Sequence, residues 1–262
     1  MIKHLTRKSN LQSKILFYSF PYIFLIILIS CNKMNYSLKL EIKDTPLSVV
    51  QQIPGNQKGR EKNVLYLSPR VIQKKEFNSK ELNILLDSMY SVMIDKAGVG
   101  IAANQIGKRL QIFMIEAKSD NPRYKVLGEV KKQIFINPKI TKVSENKKNF
   151  WHGCLSANGE KRGNVASYEW LEYESLNEKG EKIIGKLDGF GAVIFQHEFR
   201  HLMNGTYMDF AKEFMAKPEL DEGINSGKIS FFGDAPENLP LLIQGYHIGE
   251  SLEEFHKRKE KE

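Results

Sequence analysis

Two histidines four residues apart constrain this chain more than any other feature of its sequence. His197 and His201 flank Glu198 within residues 196–202. On a helix, residues four apart lie on the same face, so both imidazoles point to one side beside the carboxylate. Imidazole pairs at this spacing bind divalent metal ions, and the adjacent glutamate can act as a general base. The segment therefore predicts a helix that carries a metal site.

A cysteine upstream is the candidate third ligand. Cys154 is one of only two cysteines in the chain and lies in the sequence His-Gly-Cys-Leu-Ser, residues 152–156. One thiolate and two imidazoles, with the fourth position left to water, form the arrangement of catalytic rather than structural metal sites. Glu198 is then placed to take a proton from that water and pass it to a departing amine. Without the histidine pair, a lone cysteine would more often be a small buried hydrophobe.

A third motif completes the pattern. Residues 98–107 are a run of small and apolar residues that contains Gln105. In their order along the chain, this run, the cysteine segment and the histidine pair resemble the three motifs of peptide deformylase, and the resemblance extends over about residues 64–211. The resemblance implies an α+β fold, peptide-deformylase-like, with antiparallel strands around a central metal-binding helix.

The resemblance also implies an activity and a site. The activity is metal-dependent hydrolysis of the formyl group from N-formylmethionyl peptides, with ferrous iron as the expected ion and zinc, nickel or cobalt as substitutes. Glu198 would be the acid and base, and the Gln105 amide and the Leu155 backbone N–H would stabilise the oxyanion. The implied metal ligands are Cys154, His197 and His201. The residues expected to contact the peptide or line its methionine pocket are Gly98, Val99, Gly100, Ile101, Gly153, Val193 and Ile194.

Departures from the family pattern leave alternatives open. The residue two before the metal cysteine is normally glutamate and here is His152, which makes turnover a question. Arg200 replaces a usual aspartate, at a helical position that points partly away from the metal face. The alternatives are a general metallopeptidase, against which Cys154 and Gln105 count, and an exported deformylase-like protein that binds metal or peptide with altered specificity or no turnover. Retention of Glu198 favours catalysis.

The first 30 residues have the pattern of a signal peptide. Residues 1–14 carry four cations and no acid, and an apolar stretch follows at residues 15–29. That stretch is shorter than the roughly 20 residues of a spanning helix. Residues 28–31 read Leu-Ile-Ser-Cys and resemble the bacterial lipobox, which implies cleavage before Cys31 and lipidation of its sulfur. The expected location is therefore outside the cytoplasm on a membrane anchor, with organelle targeting or the cytoplasm as alternatives.

Composition favours one catalytic domain behind that leader. The formal charge of +8 on 262 residues falls to +4 without the four leader cations, and the remaining lysines are interspersed with glutamates. We therefore expect no nucleic-acid partner. The predicted division of the chain is a signal peptide at 1–30, a tether or irregular extension at 31–62, the catalytic domain at 63–211 and a C-terminal extension without an assigned role at 212–262.

Hydrophobic periodicity places the motifs on secondary structure. Apolar residues at helical spacing predict a helix over 79–96, capped by Ser79 and ended by Gly98. A second helix is expected over 191–203. The predicted strands span 110–117, 133–140, 166–173 and 182–187, and a hairpin turn at 177–180 joins the last two.

Overall fold

The computed structural model describes residues 35–40, 47–55, 57–121, 124–157 and 161–262. The predicted leader and Cys31 lie outside these ranges. Among the described residues, no helix is both long and apolar enough to cross a bilayer. The helices are α1 (Lys80–Asp95), α2 (Gly189–Leu202), α3 (Lys217–Asn225) and α4 (Leu252–Lys259). The strands are β1 (Gly100–Ala102), β2 (Ile112–Ala117), β3 (Val130–Val143), β4 (Lys147–His152), β5 (Lys161–Tyr168), β6 (Trp170–Leu176), β7 (Lys182–Asp188), β8 (Glu213–Ala216) and β9 (Gly233–Asp234).

The strands form two antiparallel sheets. One sheet has the order β1-β2-β3-β6-β7, and the other has the order β8-β5-β4-β9. Strand β1 is an edge strand that pairs with β2, with Gly100 opposite Ile115. This combination of antiparallel sheets and helices confirms the predicted α+β class.

Helix α1 begins and ends where the sequence predicts. The Ser79 hydroxyl accepts a hydrogen bond from the Leu82 N–H at 3.1 Å, which satisfies one free donor of the first turn. After the last turn, the Gly98 N–H donates to the Met93 carbonyl at 2.8 Å. Its apolar face is buried against β1 and β2, so its methionines belong to the core. The fully buried members of this face are Leu82, Leu85, Met89 and Met93.

Helix α2 lies between the two sheets. Its Phe195 ring meets Phe113 of β2 edge-on at 5.0 Å and Phe135 of β3 at 4.9 Å. On the other side, the Gln196 amide exchanges two hydrogen bonds of 2.9 Å with the backbone of Tyr168, at the end of β5. Because both faces of α2 are covered, even its polar side chains are buried and need partners inside the protein. The helix is thereby fixed relative to both sheets.

The predicted strand at 166–173 is wrong as a single element. The chain leaves the four-stranded sheet at Tyr168 and enters the five-stranded sheet at Trp170. At the corner, the Glu169 N–H donates to the Ser144 hydroxyl at 2.9 Å, and the Glu169 carbonyl accepts from Gly189 at 3.0 Å. The alternation of apolar residues continues through the corner, so periodicity alone cannot show it. The predicted turn at 177–180 is confirmed, with Gly180 at a φ of 81°.

The C-terminal segment, residues 239–262, packs against β5 and α2. The Ala166 N–H donates to the Pro240 carbonyl at 2.8 Å, and the Leu242 N–H donates to the Ala166 carbonyl at 2.8 Å. At the end of α2, His256 Nε2 donates to the Leu202 carbonyl at 2.9 Å. Carbonyls in the last turn of a helix lack intrahelical partners, so this bond caps α2. Residues after 239 therefore support the helix that carries both histidines.

Candidate active site

Three predicted ligands meet at one point. Cys154 lies just after β4, and His197 and His201 lie one turn apart on α2. One donor atom from each lies within 4.8 Å of the others, and Cys154 Sγ is 3.3 Å from His201 Nε2. A tetrahedral ion with bonds of about 2.0 to 2.3 Å holds its donors roughly 3.3 to 3.8 Å apart. The Cys154–His201 distance lies in this range, the 4.8 Å limit on the group lies about 1 Å above it, and the donor set of one thiol and two imidazoles suits a divalent transition metal.

His152 orients the first histidine of the pair. The two Nδ1 atoms of His152 and His197 are 3.1 Å apart, and the rings stack with centroids 5.2 Å apart. For His197 Nε2 to bind a metal, its proton must sit on Nδ1 and be donated to His152. The His152 proton then sits on Nε2, which has no hydrogen-bond partner in the part of the chain that the structure describes. In this tautomer, the His152 imidazole is the acceptor of the bond from His197.

Glu198 is buried beside these ligands. Its side chain is only 4% exposed, and burial raises the pKa of its carboxyl well above the usual range. Its Oε2 atom has no hydrogen-bond partner among the described residues. A Cβ at position 100 would overlap the Glu198 carboxyl, so only glycine lets β1 pass this close. The Glu198 carboxyl therefore extends from α2 toward the edge strand β1.

The two predicted oxyanion donors lie next to the cysteine. The Gln105 side chain is held by its Oε1, which accepts from the Ala102 N–H at 2.9 Å. Its Nε2 lies 3.4 Å from Cys154 Sγ and 3.2 Å from the Ser156 hydroxyl. The backbone N–H of Leu155 donates no hydrogen bond within the described ranges. Both N–H groups are therefore positioned near the ligand atoms.

A cavity of about 260 Å³ opens onto this group. It is lined by Gln105, Cys154, Leu155, His197, Glu198 and, from the predicted contact residues, by Gly98, Val99, Gly100, Gly153, Val193 and Ile194. Ile101 is the exception, because it packs in the core with α1 and β2. Side chains alternate between the two faces of a strand, so Gly100 faces the site and its neighbour faces away.

The cavity also has an aromatic wall that the sequence did not reveal. The Tyr124 and Phe190 ring centroids are 4.9 Å apart, and Phe150 lies 5.7 Å from Phe190. The Arg162 guanidinium reaches the same cavity by passing over Gly153, where a Cβ would overlap it. These residues come from separate elements, so no spacing rule groups them in advance.

Two further side chains differ in their relation to the site: Asn104 contacts it, and Arg200 does not line the cavity. Asn104 is fully buried and donates from Nδ2 to the His201 carbonyl at 2.7 Å. This bond joins the motif at residues 98–107 to α2. The Arg200 guanidinium packs 4.9 Å from the centre of the Phe210 ring, and its charge is directed away from the cavity.

Burial controls protonation of the metal-free site. Burial, with a smaller effect of Arg162, lowers the pKa of His197 to about 4, and burial holds the pKa of His201 well below its usual value. Burial, with the nearby Glu198, raises the pKa of the Cys154 thiol to about 12. The imidazoles are therefore neutral and ready to bind, whereas the thiol must release its proton when a metal binds.

These pKa shifts predict how the stability of chelator-treated protein depends on pH. The pKa values of His152, His197 and His201 are lowered by burial, so below pH 6.5 the unfolded chain binds three protons that the folded chain excludes. Their stabilising contribution is complete above pH 6.5 and is lost as the pH falls toward about 4. Glu198 opposes this, because its raised pKa lets the folded chain hold one extra proton above pH 4.5. The free energy of unfolding should fall by about 2 to 3 kcal/mol per pH unit between pH 6 and 5. Urea unfolding at both pH values measures it, and equal midpoints would contradict the argument.

The comparisons with known proteins agree with this geometry. The family model described as polypeptide deformylase matches residues 60–217. A peptide deformylase of Aquifex aeolicus is 35% identical over 152 residues, which cover 57% of this chain and 85% of that protein. One from Leptospira biflexa is 34% identical over 145 residues, which cover 54% of this chain and 78% of the relative.

Solved structures give the same assignment. A class I type b peptide deformylase from Acinetobacter baumannii superposes with a TM-score of 0.56 at 28% identity, covering 63% of this chain and 98% of the other. A structure of that type and source, described as bound to Met-Ala-Ser, has a TM-score of 0.56 at 27% identity, covering 64% of this chain and all of the other. The chain belongs to the peptide deformylase family and is a metal-dependent hydrolase that removes the formyl group from N-formylmethionyl peptides.

Proposed function

We propose that Cys154, His197 and His201 hold a divalent cation, with ferrous iron as the expected ion and zinc, nickel or cobalt as substitutes. The convergence of their donor atoms within 4.8 Å is the observation that carries the proposal. A bound cation supplies Lewis acidity and a water of lowered pKa. By accepting a hydrogen bond from the His197 Nδ1–H, His152 would leave Nε2 of His197 unprotonated and available to hold the cation.

Glu198 is the proposed general base and acid. Its carboxyl is buried beside the ligands, and burial raises its pKa, which favours the uptake of a proton from water. It accepts the proton of the attacking water and passes it to the amine that leaves. Gln105 Nε2 and the Leu155 N–H donate to the oxygen that becomes negative as the formyl carbon turns tetrahedral. Such donors contribute about 3 to 4 kcal/mol each in other hydrolases.

The proposed substrate is an extended formylmethionyl peptide along the edge of β1 that pairs with no other strand in the described part of the chain. An edge strand offers unpaired N–H and C=O groups to an added strand. The side chains of Val193 and Ile194 line the cavity, and Phe190 continues its apolar surface. A methionine side chain is unbranched and apolar, and it fits such a lining. The related Acinetobacter baumannii enzyme described as bound to Met-Ala-Ser supports a peptide of this kind.

Formate release from formyl-Met-Ala-Ser tests this proposal. We would purify the full-length chain in detergent without oxygen, load it with ferrous iron or nickel, and assay acetyl-Met-Ala-Ser beside it. Rapid formate release with little acetate release is expected, because the small formyl group lies nearest the buried ligands. A fully metallated protein with no formate release would favour the non-catalytic alternative, in which His152 in place of glutamate has ended turnover.

We also propose that the chain is exported and anchored through a lipid on Cys31, with residues 1–30 removed. The support is the basic, apolar and small-residue order of the leader. In bacteria grown with labelled palmitate, wild type and Cys154→Ala should take up label, and Cys31→Ala should not. Cys154→Ala is the matched control because it removes the other cysteine of the chain. Equal labelling of Cys31→Ala would reject the anchor.

A further inference from the structure

An extended segment upstream of the family match lies against the active-site motifs. The strap, defined as residues 50–53, precedes the first residue that the family model matches, which is residue 60. The Val50 N–H donates to the Gln105 carbonyl at 2.7 Å, and the Gln52 N–H donates to the Ser156 carbonyl at 2.7 Å. Two residues of one segment thus bind the backbone of two separate motifs.

A side chain adds a third bond to the same region. Gln51 Nε2 donates to the Leu155 carbonyl at 3.1 Å. The carbonyl groups that accept from the strap therefore belong to Gln105 and Leu155, the two proposed oxyanion donors, and to the residue after Leu155. These bonds hold the backbone of both donors and involve neither the Gln105 side-chain amide nor the Leu155 N–H.

The other edge of the strap is held by the protein as well. The Gln51 carbonyl accepts from Asn63 Nδ2 at 2.7 Å, and the Ile53 carbonyl accepts from the Tyr66 hydroxyl at 3.1 Å and from Arg60. In an extended chain, the polar groups of successive residues point to opposite sides. The strap uses this alternation to bridge the motifs on one side and residues 60–66 on the other.

Arg60 connects the strap to the turn after α2. Its guanidinium forms an ion pair of 2.7 Å with Asp209, in the turn that follows α2. The same guanidinium lies 3.4 Å above the centre of the Tyr66 ring. The strap therefore contacts the first two motifs directly, and Arg60 links it to the turn that follows the helix carrying both histidines.

We propose that the strap is a positioning element for the oxyanion donors, an inference that rests on the proposed roles of Gln105 and Leu155. Loops that carry two donors must hold them at a fixed separation before the substrate arrives, since movement of about 1 Å can lower a rate about 100-fold. The strap joins the two loops through backbone bonds, which depend on its conformation more than on its side chains. Its removal therefore lowers kcat and leaves KM and metal binding nearly unchanged.

Proline substitution separates the strap bonds from general effects of the segment. Val50→Pro removes the N–H that binds the Gln105 carbonyl. Val49→Pro is the matched control, because the Val49 N–H makes no hydrogen bond in the described part of the chain. With full-length protein and formyl-Met-Ala-Ser, we expect kcat of Val50→Pro to be about 10-fold or more below that of Val49→Pro, with KM within about 3-fold. Equal kcat values would overturn the proposal.

A second pair of variants tests the strap without proline, in case the proline variants do not fold. Gln51→Met keeps the side-chain length but loses the donor to Leu155, and Gln57→Met makes the same change at a neighbouring exposed site. We expect kcat of Gln51→Met to be roughly 2 to 5 times lower than that of Gln57→Met, as for one partly solvated hydrogen bond. No difference within this pair would also overturn the proposal.

Hydrogen exchange gives a readout that does not require turnover. Amide exchange in residues 102–106 and 154–157 should be about 10-fold faster in Val50→Pro than in Val49→Pro, because the loops lose a shared anchor. Unchanged exchange in both segments would reject the strap even in an inactive preparation. Absence of wild-type turnover would reject the proposed function alone, so the two failures are distinguishable.

Discussion

Glu198→Gln is expected to lower kcat for formyl-Met-Ala-Ser by about 100- to 10,000-fold, the range for loss of a general acid and base. Glutamine keeps the shape of the side chain that packs against Gly100, so metal content and folding should not change. The substitution removes the Glu198 carboxylate, which is the proposed acceptor of the proton from water. Steady-state formate release, with metal analysis of the same sample, measures both effects.

The control for this variant is a glutamate far from the ligands. Glu219 is exposed on α3, and Glu219→Gln should leave kcat within about 2-fold of wild type, as is usual for surface changes. Glu198→Gln with more than a tenth of wild-type kcat would show that another group carries the proton. Among the described residues that line the cavity, Glu198 is the only carboxyl.

Cys154→Ser is expected to abolish both metal retention and turnover. A serine hydroxyl is a hard, weakly acidic donor and replaces a thiolate that suits iron, zinc and nickel. Loss of a hydrogen-bond partner of a ligand typically weakens metal affinity 10- to 100-fold, so loss of a ligand should exceed about 100-fold. Metal per chain after dialysis measures the first effect, and formate release measures the second.

Thermal unfolding gives a second, independent measurement of metal binding by Cys154→Ser. Metal binding to the folded state alone raises the midpoint of thermal unfolding, so wild type should lose stability on chelation. Cys154→Ser should show almost no change on chelation. Cys31→Ser makes the same substitution at the other cysteine and should retain the wild-type response. Retention of one metal per chain by Cys154→Ser would remove the thiol from the ligand set.

The local parts of the site could be predicted from sequence because local spacing determines them. His197 and His201 are separated by one helical turn, and Glu198 is adjacent to the first of them. Helix α1 was equally predictable, since Ser79 and Gly98 mark its ends. Cys154 and Gln105 are distant in sequence: donor chemistry makes Cys154 a candidate third ligand, whereas Gln105 joins the site only through resemblance to a family.

The other parts depend on contacts between distant residues. Gly100 and Ile101 are adjacent, yet one faces Glu198 and the other faces α1, and the pairing of β1 with β2 decides which. The aromatic wall draws on Tyr124, Phe150 and Phe190, whose spacings follow no single period. The role of His152 was also hidden, because its partner lies 45 residues away. Tertiary packing alone brings such groups together.

The His256 cap on α2 has a consequence for the order in which the chain is made. The strap leaves the ribosome more than two hundred residues before the cap does, and both contact the catalytic region. Contacts over such separations form slowly, because a long loop must close before they are gained. During synthesis or passage through a membrane, α2 therefore lacks part of its support until the helix that carries His256 emerges. Activity should begin only after α4 has been delivered, whichever side of the membrane receives it.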